Sequence, residues 1–176
     1  MRKSILVVLA AMSLVLAACE TVAPPPPPPP PPPEPRASAD VFRSQDFSWS
    51  AIPGSNRIDG ALVYRQGGVG FSCANVILMP ETPWTQRRMN ILYRSVISAA
   101  APAAEVRSRT PAAPPELNAF VRQTTCDAQG QFSFTGLPDG GWFVVTVVRP
   151  VSGAGEQVAL MRRVLTRGGR PTLIEL

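Results

Sequence analysis

From residue 40 onward, apolar and polar residues alternate over short stretches separated by Gly, Pro and Asp. Alternation with a period of two is typical of strands that bury one face. It predicts seven short strands, at residues 57–65, 71–79, 120–126, 142–149, 157–166 and 172–176, with one more around Phe132 and Phe134. Short antiparallel strands in this number, with one helical insertion, indicate an all-β sandwich.

The segment that precedes these strands is apolar but has no clear period. It contains Val41, Phe42, Phe47 and Trp49. The pattern leaves open whether it forms an edge strand or packs over the sandwich.

One stretch has a helical period instead. Met89, Leu92, Tyr93 and Val96 recur at i, i+3, i+4 and i+7. This spacing predicts a helix from Thr85 to about Ser98 with an apolar stripe facing the core. The residues between are partly cationic, which is typical of a solvated helix face. The alternative is a ligand surface for an anionic or saccharide partner, such as peptidoglycan or lipid headgroups. That candidate surface consists of Trp84, Arg87, Arg88, Tyr93 and Arg94.

Residues 99–116 are rich in Ala and Pro. This composition predicts an irregular, mobile surface segment. Together with the helix it forms an insertion at about residues 84–116 of a single domain at residues 40–176.

The residues from Thr124 to Val145 resemble the signature D-x-x-G-x-F-x-F-x-x-L-P-x-G-x-[YF]-x-V of carboxypeptidase-regulatory-like domains. Upstream, residues 58–63 and 74–78 are similar to the first two strands of that fold. The resemblance covers about residues 57–176 and implies a prealbumin-like, transthyretin-like antiparallel sandwich. Its signature positions are turn formers and core residues, so it implies a fold and leaves the function open.

Composition argues against the activities found on that fold. The isopeptide bond of related pilins and adhesins needs Lys, and the single Lys of this chain is Lys3 in the predicted signal peptide. The transthyretin-like hydrolase needs paired His, and this sequence contains no His. Without His, Ser-His-Asp and Cys-His catalysis are excluded as well.

Other catalytic and cofactor chemistry also lacks a sequence basis. Asp127 and Asp139 are paired carboxylates in principle, but both belong to turn sequences that already explain them. The segment at residues 67–70 lacks the dinucleotide-binding spacing, and there is no pattern of metal ligands. We therefore expect a non-enzymatic protein with no cofactor and no metal.

The N-terminus predicts export and lipidation. Arg2 and Lys3 precede an apolar stretch that ends in residues 16–19, Leu-Ala-Ala-Cys. This ending resembles the bacterial lipobox, which implies a signal peptide at residues 1–18 and acylation of Cys19. The alternative is an ordinary secretory signal cut near residue 17 or 18. Glu20 stands where Asp would be the usual inner-membrane retention signal, so we expect the outer membrane, facing the periplasm.

Ten consecutive prolines occupy residues 24–33. Because proline has no N–H and a fixed φ, this run predicts a polyproline II rod of roughly 31 Å. Residues 19–39 are thus predicted to be a lipidated linker that holds the domain off the membrane. A PxxP ligand for a partner domain is the alternative.

Two cysteines remain once Cys19 is acylated. Cys73 and Cys126 would lie in an oxidising compartment near strand edges, so we predict a structural disulfide that staples the two sheets. The mature chain carries 15 Arg against 12 acidic residues, and they are scattered, which argues against nucleic-acid binding.

The sequence as a whole favours a cell-envelope lipoprotein whose sandwich acts as a scaffold or protein-interaction module. The alternative function is a peptidoglycan- or carbohydrate-binding envelope module.

Overall fold

The computed structural model describes residues 39–176. The predicted signal peptide, the acylated Cys19 and the polyproline run lie outside these residues. Within them, no helix is both long enough and apolar enough to cross a bilayer. The strands are β1 (Asn56–Ala61), β2 (Arg65–Gln66), β3 (Val69–Pro80), β4 (Ser98–Pro102), β5 (Arg122–Thr125), β6 (Gln131–Leu137), β7 (Gly140–Pro150), β8 (Val158–Thr166) and β9 (Pro171–Glu175). The α-helices are α1 (Pro83–Tyr93) and α2 (Ala103–Ser108), and two 3-10 helices span Ser44–Ala51 and Pro115–Ala119.

The predicted sandwich is confirmed. A small sheet has the order β6-β1-β9, and a large sheet has the order β2-β3-β7-β8-β4, with β5 paired to β3. Alternate residues of both sheets meet between them in an inter-sheet core. Its main members are Ile58, Val76, Leu78, Phe132, Phe134, Leu137, Trp142, Val144, Val164 and Ile174.

The direction of one strand pair differs from the expected purely antiparallel arrangement. β9 pairs parallel to β1, with Ile58 opposite Thr172 and Gly60 opposite Ile174. Local alternation carries no information about strand direction, so the sequence could not reveal this pair. Residues 39–176 contain nine strands in place of the expected seven, because β2 and β4 were not expected.

The two helices cover the other face of the large sheet. They pack on side chains that alternate with those of the inter-sheet core, in a second cluster of Met79, Met89, Leu92, Tyr93, Ala103, Val106, Phe143, Ala159 and Met161. Three of the four residues in the predicted helical stripe belong to this cluster, which confirms that the stripe faces the core.

Capping residues shift α1 by two to five residues from its predicted span. Thr82 and Thr85 form a capping box, and Pro83 occupies the first turn. Arg94 adopts a left-handed conformation with φ of 57°, and its N–H bonds to Asn90. The helix therefore ends before Val96, which is only half-buried.

The prediction of an irregular segment at residues 99–116 was wrong for most of its length, because only residues 109–114 lie outside regular elements. Residues 98–102 form β4, which pairs antiparallel with β8 from Ser98 opposite Arg162 to Pro102 opposite Val158. Ala and Pro are depleted in strands, but an edge position tolerates both because one side of the strand needs no partner.

The apolar lead-in packs over the sandwich and is not an edge strand. It forms the 3-10 helix Ser44–Ala51. Phe47 is fully buried, and the Trp49 ring lies 5.0 Å from that of Trp142. Arg122 secures this segment from β5 by donating to the carbonyl of Ser50 at 3.0 Å.

Candidate binding surfaces

The predicted ligand surface on α1 is largely engaged in contacts within the domain. Trp84 packs edge-on against Phe42, with ring centroids 5.4 Å apart. The Arg88 guanidinium lies 5.4 Å from the Trp84 ring centroid and donates to the carbonyl of Pro111 at 3.0 Å. Burial lowers the pKa of Arg88. Trp84 and Arg88 are therefore already in contact with each other and with neighbouring residues of the domain.

The three other residues of that surface have different environments. Arg87 is exposed and forms an ion pair with Asp40 at 2.7 Å. Tyr93 is only 7% exposed, and its burial raises its pKa to about 12. Arg94 is exposed at the end of the helix. The structure thus brings Trp84 and Arg88 together but places Tyr93 in the core.

A different surface has the shape of a binding site. The outward face of the small sheet carries an open cavity of about 490 Å³. Its lining includes Asp59 and Ala61 from β1, Gln131 from β6, Arg162 from β8, and Leu173 and Glu175 from β9. We call this cavity the small-sheet cleft.

The alternation of β1 explains why polar groups reach the cleft. Ile58 and Gly60 point into the core and are buried, so Arg57, Asp59 and Ala61 point outward. The Phe132 ring fills the space where a Cβ of residue 60 would lie, so glycine is the residue that fits at this position. In the pairing register, Asp59 lies opposite Leu173 of β9. The outward-facing residues of β6, β1 and β9 therefore form rows across the small sheet.

Both acceptors and donors surround the cleft. The Arg57 Nε lies 2.8 Å from a carboxylate oxygen of Asp59. The Arg162 guanidinium donates to the backbone carbonyl of Glu175 at 2.9 Å. The side chain of Leu173 is 80% exposed and supplies an apolar surface between them. A few oriented polar groups around an apolar patch are typical of small-ligand sites.

A second open cavity of about 580 Å³ adjoins the cleft and shares Asp59, Gly60 and Gln131 with it. Its far side is formed by Cys126 and Asp127. The Asp127 carboxylate accepts from the N–H groups of Gln129 at 2.9 Å and Gln131 at 2.7 Å. This turn therefore fixes the start of β6, and with it the position of Gln131.

The predicted disulfide between Cys73 and Cys126 is confirmed, with Cα atoms 5.7 Å apart. The expectation that it joins the two sheets was wrong. Cys73 lies in β3, and the N–H of Cys126 bonds to Ala74 of β3 at 2.9 Å, just beyond β5. The bridge thus lies within the large sheet, because β5 pairs with β3.

Sequence reasoning did not identify the small-sheet cleft. Its residues come from four strands spread between positions 59 and 175. They form no local motif, so only the strand order could have revealed them. Throughout residues 39–176, no group of three or more Cys, Asp or Glu side chains is arranged to hold a metal ion.

Comparison with known proteins supports the fold. No family model and no curated protein matches the sequence. A crystal structure from Pseudomonas aeruginosa, of a protein with a proposed role in carbohydrate binding, matches with a TM-score of 0.61 at 20% identity. The match covers 77% of this chain and 96% of that one. At this identity the likeness shows a shared sandwich.

A minor pilin of Streptococcus agalactiae also matches, at 13% identity and a TM-score of 0.34, over 69% of this chain and 49% of the pilin. A TM-score at that level does not establish a shared fold.

Proposed function

We propose that this chain is a non-enzymatic lipoprotein of the cell envelope, and that its sandwich binds carbohydrate, such as the glycan of peptidoglycan, in the small-sheet cleft. Acylation of Cys19 anchors it in the outer membrane, facing the periplasm, and residues 19–39 act as a spacer. The absence of His from the whole sequence supports a binding role over catalysis.

The observation that carries the proposal is the composition of the cleft. Carbohydrate hydroxyls both donate and accept hydrogen bonds, and the cleft offers carboxylates at Asp59 and Glu175, an amide at Gln131 and a guanidinium at Arg162. The side chain of Leu173 supplies an apolar contact for the faces of sugar rings. The cleft is open and about 490 Å³ in volume, so an extended polymer can enter it.

The α1 surface is the weaker candidate for the same ligand. Trp84 and Arg88 already contact each other, and Arg87 is paired with Asp40. A ligand would have to displace these contacts.

In the cleft, Asp59 is paired with Arg57 and Arg162 with the Glu175 carbonyl, but the exposed Leu173 side chain offers an apolar contact that needs no such displacement. The proposed carbohydrate role of the Pseudomonas aeruginosa protein that shares the fold supports carbohydrate as the class of ligand.

We also propose membership of the carboxypeptidase-regulatory-like group. Several signature residues have the structural roles that the resemblance implies. Asp127 closes the turn before β6, Gly130 has a positive φ of 77°, and Phe132 and Phe134 are buried in the inter-sheet core.

A binding experiment with purified peptidoglycan sacculi tests the site. The mature chain should co-sediment with sacculi, and a variant with Asp59→Asn and Gln131→Ala should lose about tenfold or more in affinity, since each lost hydrogen bond contributes about 1 kcal/mol. Both residues lie on the surface of the small sheet, so folding should be retained.

The matched control carries Arg87→Ala and Arg88→Ala on α1, and its affinity should be unchanged. If the control loses binding while the cleft variant keeps it, the α1 surface is the site. If the mature chain does not bind sacculi or soluble glycan fragments, the carbohydrate proposal is wrong.

Anchoring is tested separately. Metabolic labelling with a fatty acid should mark the full chain, and the Cys19→Ser variant should be unlabelled. An unlabelled wild-type chain would contradict lipidation.

A further inference from the structure

Strand β3 contains a bulge where it pairs with β7. Between residues 73 and 76 of β3, Ala74 and Asn75 stand opposite the single residue Val147 of β7. Bulges bend a strand locally and are frequent next to functional sites. A cavity of about 350 Å³ lies at this bulge, and Ile77 and Val145, which pack against the second cluster, also line it. This bulge cavity therefore belongs to the outer face of the large sheet and shares no residue with the small-sheet cleft.

Contacts on both sides hold the bulge in place. The carbonyl of Ala74 accepts from the N–H of Cys126 at 2.9 Å, and the carbonyl of Asn75 accepts from the Thr146 hydroxyl at 2.7 Å. The disulfide to Cys126 fixes Cys73, the residue before the bulge. These bonds lie within the sheet itself, so the cavity is preformed and binding does not have to order it.

One end of the bulge cavity carries hydrogen-bond donors. Ser72 and Arg149 lie directly opposite each other there, and the Asn75 amide lies further along β3. Within residues 39–176, Arg149 takes part in none of the four ion pairs. No carboxylate lines the cavity, so Arg149 makes it positive. This combination favours an anion as the ligand.

The other end of the bulge cavity is apolar. Arg149, Val147 and Val145 are alternate residues of β7 and therefore lie on one face, about 14 Å from first to last. Ile77 lies opposite Val145, and both are half-buried. Val147 lies between the two ends and is 41% exposed. A matching ligand has an anionic group at one end and an aliphatic chain at the other.

From these positions we propose that the bulge cavity binds a small aliphatic carboxylate of the medium-chain fatty-acid class. The carboxylate accepts from the Arg149 guanidinium and the Ser72 hydroxyl, and the chain lies over Val147 towards Val145 and Ile77. Burial of the chain against these apolar side chains supplies the hydrophobic part of the affinity. The proposal does not depend on carbohydrate binding at the small-sheet cleft.

Charge and size both favour a carboxylate of this class. A guanidinium binds a carboxylate through two parallel hydrogen bonds, and the one cation of the cavity balances the one charge of the ligand. A phosphate monoester carries a charge of about −1.5 to −2 at pH 7, which Arg149 alone would not balance. The volume of about 350 Å³ lies within the range of small-ligand sites.

Photolabelling of the chain as exported by a bacterial host tests the site without detergent, which would compete for it. The probe is octanoate with a diazirine at the end of its chain, and labelled positions are mapped by mass spectrometry. Labels should fall on β3 and β7 near Ile77 and Val145. Excess octanoate should suppress them at concentrations about tenfold lower than octanamide, which lacks the charge, or acetate, which lacks the chain.

Arg149→Gln should lower the labelling of these strands about tenfold or more, because a charged hydrogen bond is lost. The matched control is Arg170→Gln, an exposed arginine that follows β8 at the opposite end of β7 from Arg149, and its labelling should equal that of the unsubstituted chain. Equal competition by octanoate and octanamide, equal losses in the two variants, or labels confined to the small-sheet cleft would each overturn the proposal. The competition series uses the unsubstituted chain, so it decides the question even if Arg149→Gln fails to fold.

Discussion

Removal of the Cys73–Cys126 bridge should destabilise the domain strongly. The bridge closes a loop with a sequence separation of 53 residues, and on the chain-entropy model such a loop contributes about 4 kcal/mol by restricting the unfolded chain. Cys126 also packs against the inter-sheet core, and Cys73 packs against a separate cluster of Val148, Val158 and Leu160. We therefore expect the double variant Cys73→Ala, Cys126→Ala to lose about 4 kcal/mol of unfolding free energy.

Urea unfolding followed by tryptophan fluorescence measures this loss. With a slope of about 2 kcal/mol/M, the midpoint should fall by about 2 M. Wild-type protein unfolded in the presence of reductant is the matched control, and its midpoint should agree with that of the double variant. Agreement between the two would show that the loss comes from the bridge and not from the alanine side chains.

A loss below about 1 kcal/mol would refute the reasoning, because it would mean that the bridge does not restrict the unfolded chain as the model requires. A normal midpoint for the reduced wild type combined with a low one for the double variant would instead assign the effect to packing.

Three further changes test the packing of the domain. Asn56→Ala should cost about 3 kcal/mol in urea unfolding, because the buried amide bonds to Asp139 at 2.8 Å and to two backbone groups; a loss under about 1 kcal/mol would contradict this. Gly60→Ala should lower the melting temperature by several degrees, since its Cβ would overlap the Phe132 ring, and an unchanged melting temperature would show that the ring moves freely. Burial raises the pKa of Tyr93 from 10.0 to about 12, so its contribution to stability should be complete below pH 10 and disappear as the pH rises to 12. Tyr93→Phe should remove that part of the alkaline destabilisation, and identical pH profiles for the variant and wild type would contradict the assignment.

Local sequence signals predicted the parts of the fold that local chemistry controls. Asp127 and Gly130 mark the turn before β6 because an Asp carboxylate can bond nearby N–H groups and Gly can take a positive φ. Phe132 and Phe134 identify the buried face of β6 because strand residues alternate. Met89 and Leu92 identify the buried face of α1 for the corresponding helical reason.

Features that depend on distant pairing could not be predicted in this way. β4 has the composition of a loop, and it is a strand only because β8 offers it an edge. β9 is parallel to β1, which no local pattern specifies. The small-sheet cleft depends on the pairing of β9 with β1, since Asp59, Gln131 and Glu175 come together only through the order β6-β1-β9.

The central claim is that the small-sheet cleft is where this protein binds carbohydrate. Titration of the isotope-labelled mature chain with soluble peptidoglycan fragments, followed by amide chemical shifts, tests it most directly. We predict shifts concentrated at Asp59, Gln131 and Leu173, with the amides of α1 unaffected. Shifts confined to α1, or the absence of any shift at millimolar fragment concentrations, would contradict the claim.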